Sequence, residues 1–147
     1  MMLSGRRVLI TGGGTGVGAD LARGFSAAGA EVVIAGRRLD RLQSVAAALP
    51  GVRSVVADVT DEASVRAMFA AAGACDIVIA NAGAADSAPM AHTTLAQWNA
   101  MIAVNLTGVF LTLRDGLNQM PGWGRLISVA STAGLKGYAK VVPYAAA

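Results

Sequence analysis

Fold choice for this sequence is narrowed first by a run of glycines between an apolar segment and a helical pattern: Thr11-Gly12-Gly13-Gly14-Thr15-Gly16-Val17-Gly18. Glycine adopts backbone conformations that side chains forbid, and it lets a main chain lie close to its neighbour. Where a strand turns into a helix, such a run leaves the helix's first N–H groups free to face an anion such as a pyrophosphate. A tight turn with no ligand would use the same residues. No lysine follows where a nucleoside-triphosphate loop needs one, which excludes that class.

The rest of the chain alternates between short apolar runs and helical spacing. Arg7 to Thr11 reads as a first strand, followed by Val17, Leu21, Phe25 and Ala28 on one side of a helix that Gly29 ends. Glu31 to Ala35 is a second strand, and Leu39, Leu42, Val45, Ala46 and Leu49 mark a helix stopped by Pro50-Gly51. Ser54 to Ala57 is a third strand. Thr60-Asp61-Glu62 then supplies an N-cap and acidic first turn for a helix whose inner face is Val65, Met68, Phe69 and Ala72. Asp76 to Ala80 is a fourth strand. A longer helix starts near Thr94 and carries Leu95, Trp98, Ile102, Leu106, Val109, Phe110, Leu113 and Leu117. After Pro121-Gly122-Trp123-Gly124 comes a fifth strand, Arg125 to Val129.

Crossovers of this length imply parallel pairing with right-handed connections, hence an α/β fold: a Rossmann-like doubly wound parallel sheet of five strands. With 147 residues, the expectation is one dinucleotide-binding domain over 1–147. A fifth helix is only starting at Ala145-Ala146-Ala147, so the domain is expected to be truncated there.

Composition agrees. More than half of the residues are apolar and 14% are charged, as expected of strands buried on both faces. The +3 charge is spread in singles and pairs (Arg6-Arg7, Arg37-Arg38) with no basic stripe, so no nucleic acid partner is expected. Cys75 is the single cysteine, which rules out an intrachain disulfide, and it reads as a small core residue. The apolar run before the glycine turn is too short for a signal peptide. No charge lies between Asp86 and Arg114, but Gln97, Asn99 and Asn105 interrupt that stretch, which reads as a core helix rather than a membrane span. A cytoplasmic protein with no membrane partner is expected.

The spacing Thr-Gly-x-x-x-Gly-x-Gly resembles the short-chain dehydrogenase/reductase family, and four more segments match it in order. Asp58-Val59 ends the third strand, where the family's aspartate usually meets the adenine. Asn81-Ala82-Gly83 follows the fourth strand and is similar to the family's Asn-Ala-Gly motif. Asn105-Leu106-Thr107-Gly108 lies in the long helix, where the family places a catalytic asparagine. Ser131 is followed by Tyr144 13 residues later, a spacing frequent in the family.

The resemblance covers essentially the whole chain. It implies hydride transfer between a nicotinamide cofactor and a small-molecule carbonyl or secondary alcohol, with Tyr144 as general acid or base. Ser131 would bond the substrate oxygen, and Asn105 would hold the helix and a proton-relaying water. Taken singly, these three are also an ordinary helix-start aromatic, turn serine and helix polar residue. His92 and Tyr138 are candidates for the pocket border, or ordinary loop residues. A phenol has an ordinary pKa of about 10 and needs a nearby cation to act as a base. The family's lysine four residues past the tyrosine would fall one position beyond Ala147, and Pro143 argues against Lys140 as a substitute.

The resemblance further assigns Gly12, Gly14, Thr15, Gly16, Val17 and Gly18 to the cofactor, together with Arg37, Asp58, Val59, Asn81, Ala82 and Gly83. No metal site is implied. The second strand ends Ala35-Gly36-Arg37-Arg38, with glycine where an NAD-selective site often has an acid. An arginine fork suits a 2′-phosphate, so NADP(H) is favoured with Arg37 as main contact. NAD(H) is the alternative if the two arginines only cap a solvent edge. The family's helices at Asn105 and Tyr144 commonly pack across subunits, implying a homodimer or homotetramer. The competing expectation, should 147 residues be the mature chain, is a non-catalytic dinucleotide-binding module.

Overall fold

A computed structural model describes residues 1–147. Five parallel strands form one sheet in the order β3-β2-β1-β4-β5. They are β1 (Arg7–Thr11), β2 (Glu31–Gly36), β3 (Val52–Val56), β4 (Ile77–Ala80) and β5 (Arg125–Ser128). The crossovers between them are helices α1 (Gly16–Ala27), α2 (Leu39–Ala48) and α3 (Glu62–Ala72), then α4 (Leu95–Ile102) and α5 (Gly108–Gln119). A short α6 (Val142–Ala146) follows β5. The strand order reverses between β1 and β4, giving the doubly wound, Rossmann-like arrangement and a crevice at the carboxyl ends of both strands.

Alternation along the strands builds the two layers. Leu9, Val33 and Val78 point to one side and pack with Val65, Met68, Phe69 and Leu111 of α3 and α5. Val8, Ile10, Val32, Ile34, Ile77 and Ile79 point to the other and pack with Ala22 and Leu42 of α1 and α2. Cys75 belongs to the first cluster, and burial pushes its thiol up to about 11, so it stays protonated as a small apolar group.

Three elements depart from the sequence reading. Strand β3 starts two residues earlier because Val52 pairs with Val32. Ala57 has already left the strand, although its N–H still donates to Gly36 at 2.9 Å. In α1 the fully buried residues are Gly18, Ala22 and Ser26; Leu21 and Phe25 are half-buried and pack against the same core cluster, while Val17 is exposed. Small residues let α1 sit close on the sheet, and Leu21 and Phe25 pack at the edge of that contact.

The long helix departs further. Thr94 caps it as expected, with a reciprocal bond to Gln97. Five residues, Ala103–Thr107, then form a π-helical turn that separates α4 from α5. The buried face of α5 is Gly108, Leu111, Thr112, Asp115 and Gly116. A β-carbon at Gly108 would lie 2.8 Å from the Val59 side chain, and one at Gly116 3.1 Å from Val78, so close approach selects glycine at both. The large side chains Leu95, Leu106, Phe110 and Leu117 are at least half exposed instead. The run Leu95–Gln119 is long and apolar enough to cross a membrane by length and composition, but here α5 packs on α3 and on β4 and β5.

Candidate functional site

The switch point opens into a cleft of about 740 Å³. Its floor is tied together by one hydroxyl. Thr11 is the last residue of β1 and is buried. Its Oγ1 donates to the Ile79 carbonyl at 3.4 Å and accepts the N–H groups of Asn81 and Ala82, both at 3.0 Å. Asn81 answers through its side chain, whose Nδ2 donates to the carbonyls of Thr11 at 3.0 Å and Gly12 at 3.4 Å. Asn81 is therefore turned toward the glycine turn and braces it, leaving Ala82 and Gly83 to line the cleft.

Gly12 has φ +67°, a conformation that favours glycine. A β-carbon at Gly18 would lie 2.2 Å from the Gly12 carbonyl oxygen, so helix and turn touch backbone to backbone. Gly14 and Thr15 line the cleft with Gly12. Thr15 precedes α1 in extended conformation without capping it through its side chain, and no acidic residue occupies the first turn. The start of α1, Gly16-Val17-Gly18, thus presents N–H groups with no side-chain partner, the arrangement that receives an anion. Val17 is largely exposed beside it.

Across the glycine turn the cleft wall consists of Gly36, Arg37, Arg38 and Arg41. Neither Arg37 nor Arg38 lies within salt-bridge distance of a carboxylate. Asp58, Val59 and Thr60 form the third side. Asp58 Oδ1 accepts the backbone N–H of Thr60 at 2.9 Å and is bonded to its hydroxyl at 2.7 Å. These bonds, aided by the positive field of Arg37, hold the Asp58 carboxyl below its ordinary pKa.

Asn105 sits within the π turn and grips the loop after β4. Its Oδ1 accepts the Ala84 N–H at 3.0 Å and its Nδ2 donates to the Ala84 carbonyl at 2.8 Å. Gly83 lies underneath, with room only because it lacks a side chain, since a β-carbon there would be 3.0 Å from Asn105 Oδ1. Ser131 caps a one-turn 3-10 helix, Thr132–Gly134, by accepting the Ala133 N–H at 3.2 Å. Tyr144 lies in α6, which starts after Lys140 takes φ +65° and has Pro143 in its first turn. This interruption separates Lys140 from the helix that carries Tyr144. Helix α6 packs on the 3-10 turn that Ser131 caps and on α4, the helix that runs into the π turn of Asn105. The Lys140 carbonyl also accepts the Ala88 N–H at 2.8 Å, tying the loop after β4 to the approach to Tyr144.

Of the residues picked from sequence, Gly12, Gly14, Thr15, Arg37, Asp58, Val59, Ala82 and Gly83 line the cleft directly. Gly16, Val17, Gly18 and Asn81 stand behind or beside it, and Asn105, Ser131 and Tyr144 lie outside this cavity. His92 is exposed in a 3-10 turn, and the Tyr138 hydroxyl is 3.4 Å from that of Thr132. Sequence reasoning missed the hydroxyl of Thr11, the Thr60 side chain and Arg41. The signal for Thr11 was present, since a hydroxyl at the inward end of a buried strand needs partners.

Comparison with known proteins agrees with this geometry. A family model described as short chain dehydrogenase matches residues 6–147. Oxidoreductase asL5 of Sarocladium schorii is 36% identical over 151 residues, covering 98% of this chain and 61% of that protein. The NADP-dependent (R)-specific alcohol dehydrogenase of Lentilactobacillus kefiri is 34% identical over 143 residues, covering 92% of this chain and 57% of that protein. A solved structure titled short chain dehydrogenase/reductase family protein superposes with a TM-score of 0.95 at 33% identity, covering 99% of this chain and 63% of that one. The chain thus spans about three fifths of the length of these relatives. Glycine turn, switch-point cleft and the match from residue 6 onward converge on one assignment: the chain belongs to the short-chain dehydrogenase family.

Proposed function

We propose that the protein, in its natural length, is an NADP(H)-dependent oxidoreductase that interconverts a small-molecule carbonyl and a secondary alcohol. One observation carries the cofactor reading. Thr15, whose side chain leaves the start of α1 uncapped, lines the same cleft as Arg37 and Arg38, which make no salt bridge, so a diphosphate at the helix start and a second phosphate at the arginines would share one cavity. Glycines at 12, 14 and 36 present bare backbone to that cleft, and Asp58 and Val59 border it where an adenine would lie. When bound, the nicotinamide carries the hydride.

The chain's own residues then have separate tasks. Tyr144 supplies or takes the proton at the substrate oxygen through its hydroxyl, and Ser131 donates a hydrogen bond to that oxygen. Asn105 fixes the loop after β4 against the π turn, holding the rim in place. A cytoplasmic location accompanies this reading. So does association into a homodimer or homotetramer, for which the outward apolar row Leu95, Leu106, Phe110 and Leu117 provides contact area.

Two measurements test the proposal. NADPH consumption with ketone substrates by the natural-length protein is expected to fall by about 100-fold or more in Tyr144→Phe, the usual scale of general acid–base catalysis. Undiminished turnover would remove Tyr144 from the mechanism. Fluorescence titration with NADPH and NADH is expected to favour NADPH, and equal affinity would end the NADP assignment.

A further inference from the structure

A third arginine stands in the cleft wall, and it comes from a helix rather than from a strand end. Arg41 lies in the first turn of α2, and its stem rests on the glycine turn. A β-carbon at Gly14 would be 3.2 Å from that of Arg41, so the bare backbone of Gly14 is what lets the side chain settle there. Its one carboxylate neighbour is Asp40, at 3.6 Å, and both side chains are more than half exposed, so this pair does little to neutralise Arg41. Gly36 lines the same cleft with space around it: a β-carbon there would meet only Leu42, at 3.6 Å, and Gly36 does not have positive φ. Nothing in the protein's own packing demands glycine at 36. The volume it leaves belongs to the cleft that Arg37, Arg38 and Arg41 also line.

We infer that Arg41 is a specificity-determining residue that closes a three-arginine clamp around a phosphomonoester on the ribose of the bound nucleotide. It supplies from α2 the positive charge that the glycine turn itself lacks, Thr15 being neutral. The inference rests on the NADP(H) reading above and extends it to a residue outside the strand-end pair. A guanidinium gives a phosphate two parallel N–H bonds, and three converging on one dianion select against a nucleotide that has only hydroxyls there. The clamp strengthens as the phosphomonoester takes its second charge, at a pKa of about 6.

The test is calorimetric binding of two probes, adenosine 2′,5′-bisphosphate and adenosine 5′-monophosphate, to the protein and to its Arg41→Gln, Arg41→Lys and Arg37→Gln variants. Arg41 is exposed on a helix, and glutamine keeps helix propensity, so the fold is expected to persist. Circular dichroism checks this. Arg41→Gln is expected to weaken the bisphosphate at least about tenfold at pH 7.5 and less at pH 5.5. The monophosphate is expected to stay within about twofold, and Arg41→Lys to fall between.

Arg41→Gln weakening both probes alike would overturn the clamp, because Arg41 would then only support the turn. So would a loss independent of pH. If Arg37→Gln erases the preference for the bisphosphate while Arg41→Gln leaves it intact, the clamp fails and the NADP(H) reading survives. An unaltered protein that binds both probes equally would end that reading and the clamp together.

Discussion

Two stretches of the sheet's carboxyl rim are held in different ways. Around β1 and β4 every strand residue from Val8 to Thr11 and from Ile77 to Ala80 is buried, and turn, helix and strands meet backbone to backbone. Around β5 all four strand residues are exposed, and Ser131 and Tyr144 sit on short one-turn elements with few internal bonds. The glycine-turn side is therefore fixed by steric exclusion, where one added atom has no place to go. The side bearing Ser131 and Tyr144 is fixed by capping bonds and a loop-to-loop tie, which yield more readily.

Gly18→Ala probes the exclusion directly and should have the largest effect. Its β-carbon would press on the Gly12 carbonyl and on the Asn81 amide. Over-packing of this kind costs about 1–3 kcal/mol, and a backbone obstacle places it at the upper end. Urea unfolding would read the cost, and NADPH titration should show binding lost with it. A stable variant with normal binding would mean that turn and helix can separate freely.

Thr11→Val comes next. It keeps the shape and leaves the N–H groups of Asn81 and Ala82 without their acceptor, at a cost of about 1–3 kcal/mol. An unchanged midpoint in the same unfolding experiment would show that water replaces the hydroxyl.

Asp76 tests the seam between the two regions, since it precedes β4 and its carbonyl accepts the Arg125 N–H of β5 at 2.8 Å. Its carboxylate accepts the Arg7 backbone N–H at 2.9 Å and an Arg6 N–H at 2.8 Å, with Arg6 also stacked on Trp123. The backbone bond from Arg7, reinforced by Arg6, holds the Asp76 carboxyl below its ordinary pKa. A carboxyl depressed on folding stabilises above its unfolded pKa, and that contribution is lost as pH falls through the folded value. Stability should therefore decline from about pH 4 downward, and Asp76→Asn should flatten that decline in thermal melts. A variant with the wild-type acid slope would assign the slope to other carboxylates.

Gly134→Ala is the smallest perturbation. Nothing lies within 4 Å of a β-carbon there, so the change should stay within about 0.5 kcal/mol. A large loss by the same measurement would mean that the Ser131 rim is as tightly fitted as the glycine turn.

The fold and the glycine turn were the more legible parts of the sequence because their signals are local. Runs such as Val32-Val33-Ile34 announce buried parallel strands, and the glycine spacing announces the turn. The direction of helical faces was not legible in the same way. Val17, Leu21 and Phe25 look like a core stripe, yet close packing on a sheet buries Gly18, Ala22 and Ser26 fully, leaves Leu21 and Phe25 half-buried at its edge and exposes Val17. Likewise Leu106 and Phe110 turn outward while Gly108 meets Val59. Hydrophobicity alone does not distinguish a face that touches the sheet from one left for another surface. Asn105 was found by motif, but its grip on Ala84 depends on a contact across 21 residues that spacing does not reveal. Arg41 was passed over for a related reason: its nearness to Gly14 arises only once α2 folds back over the turn.

The π turn at Ala103–Thr107 behaves like an offset cut into a screw thread. One extra residue in a turn advances everything after it by about 100° of rotation. Helix α4 can therefore answer to α6, and α5 to the sheet, although both lie on one continuous run. Removing a residue there would re-phase the second half. Gly108 and Gly116 would rotate away from Val59 and Val78, and bulkier neighbours would turn toward the sheet. The irregular turn thus sets two clocks on one rod, and the residue at its centre, Asn105, holds the loop that borders the cleft.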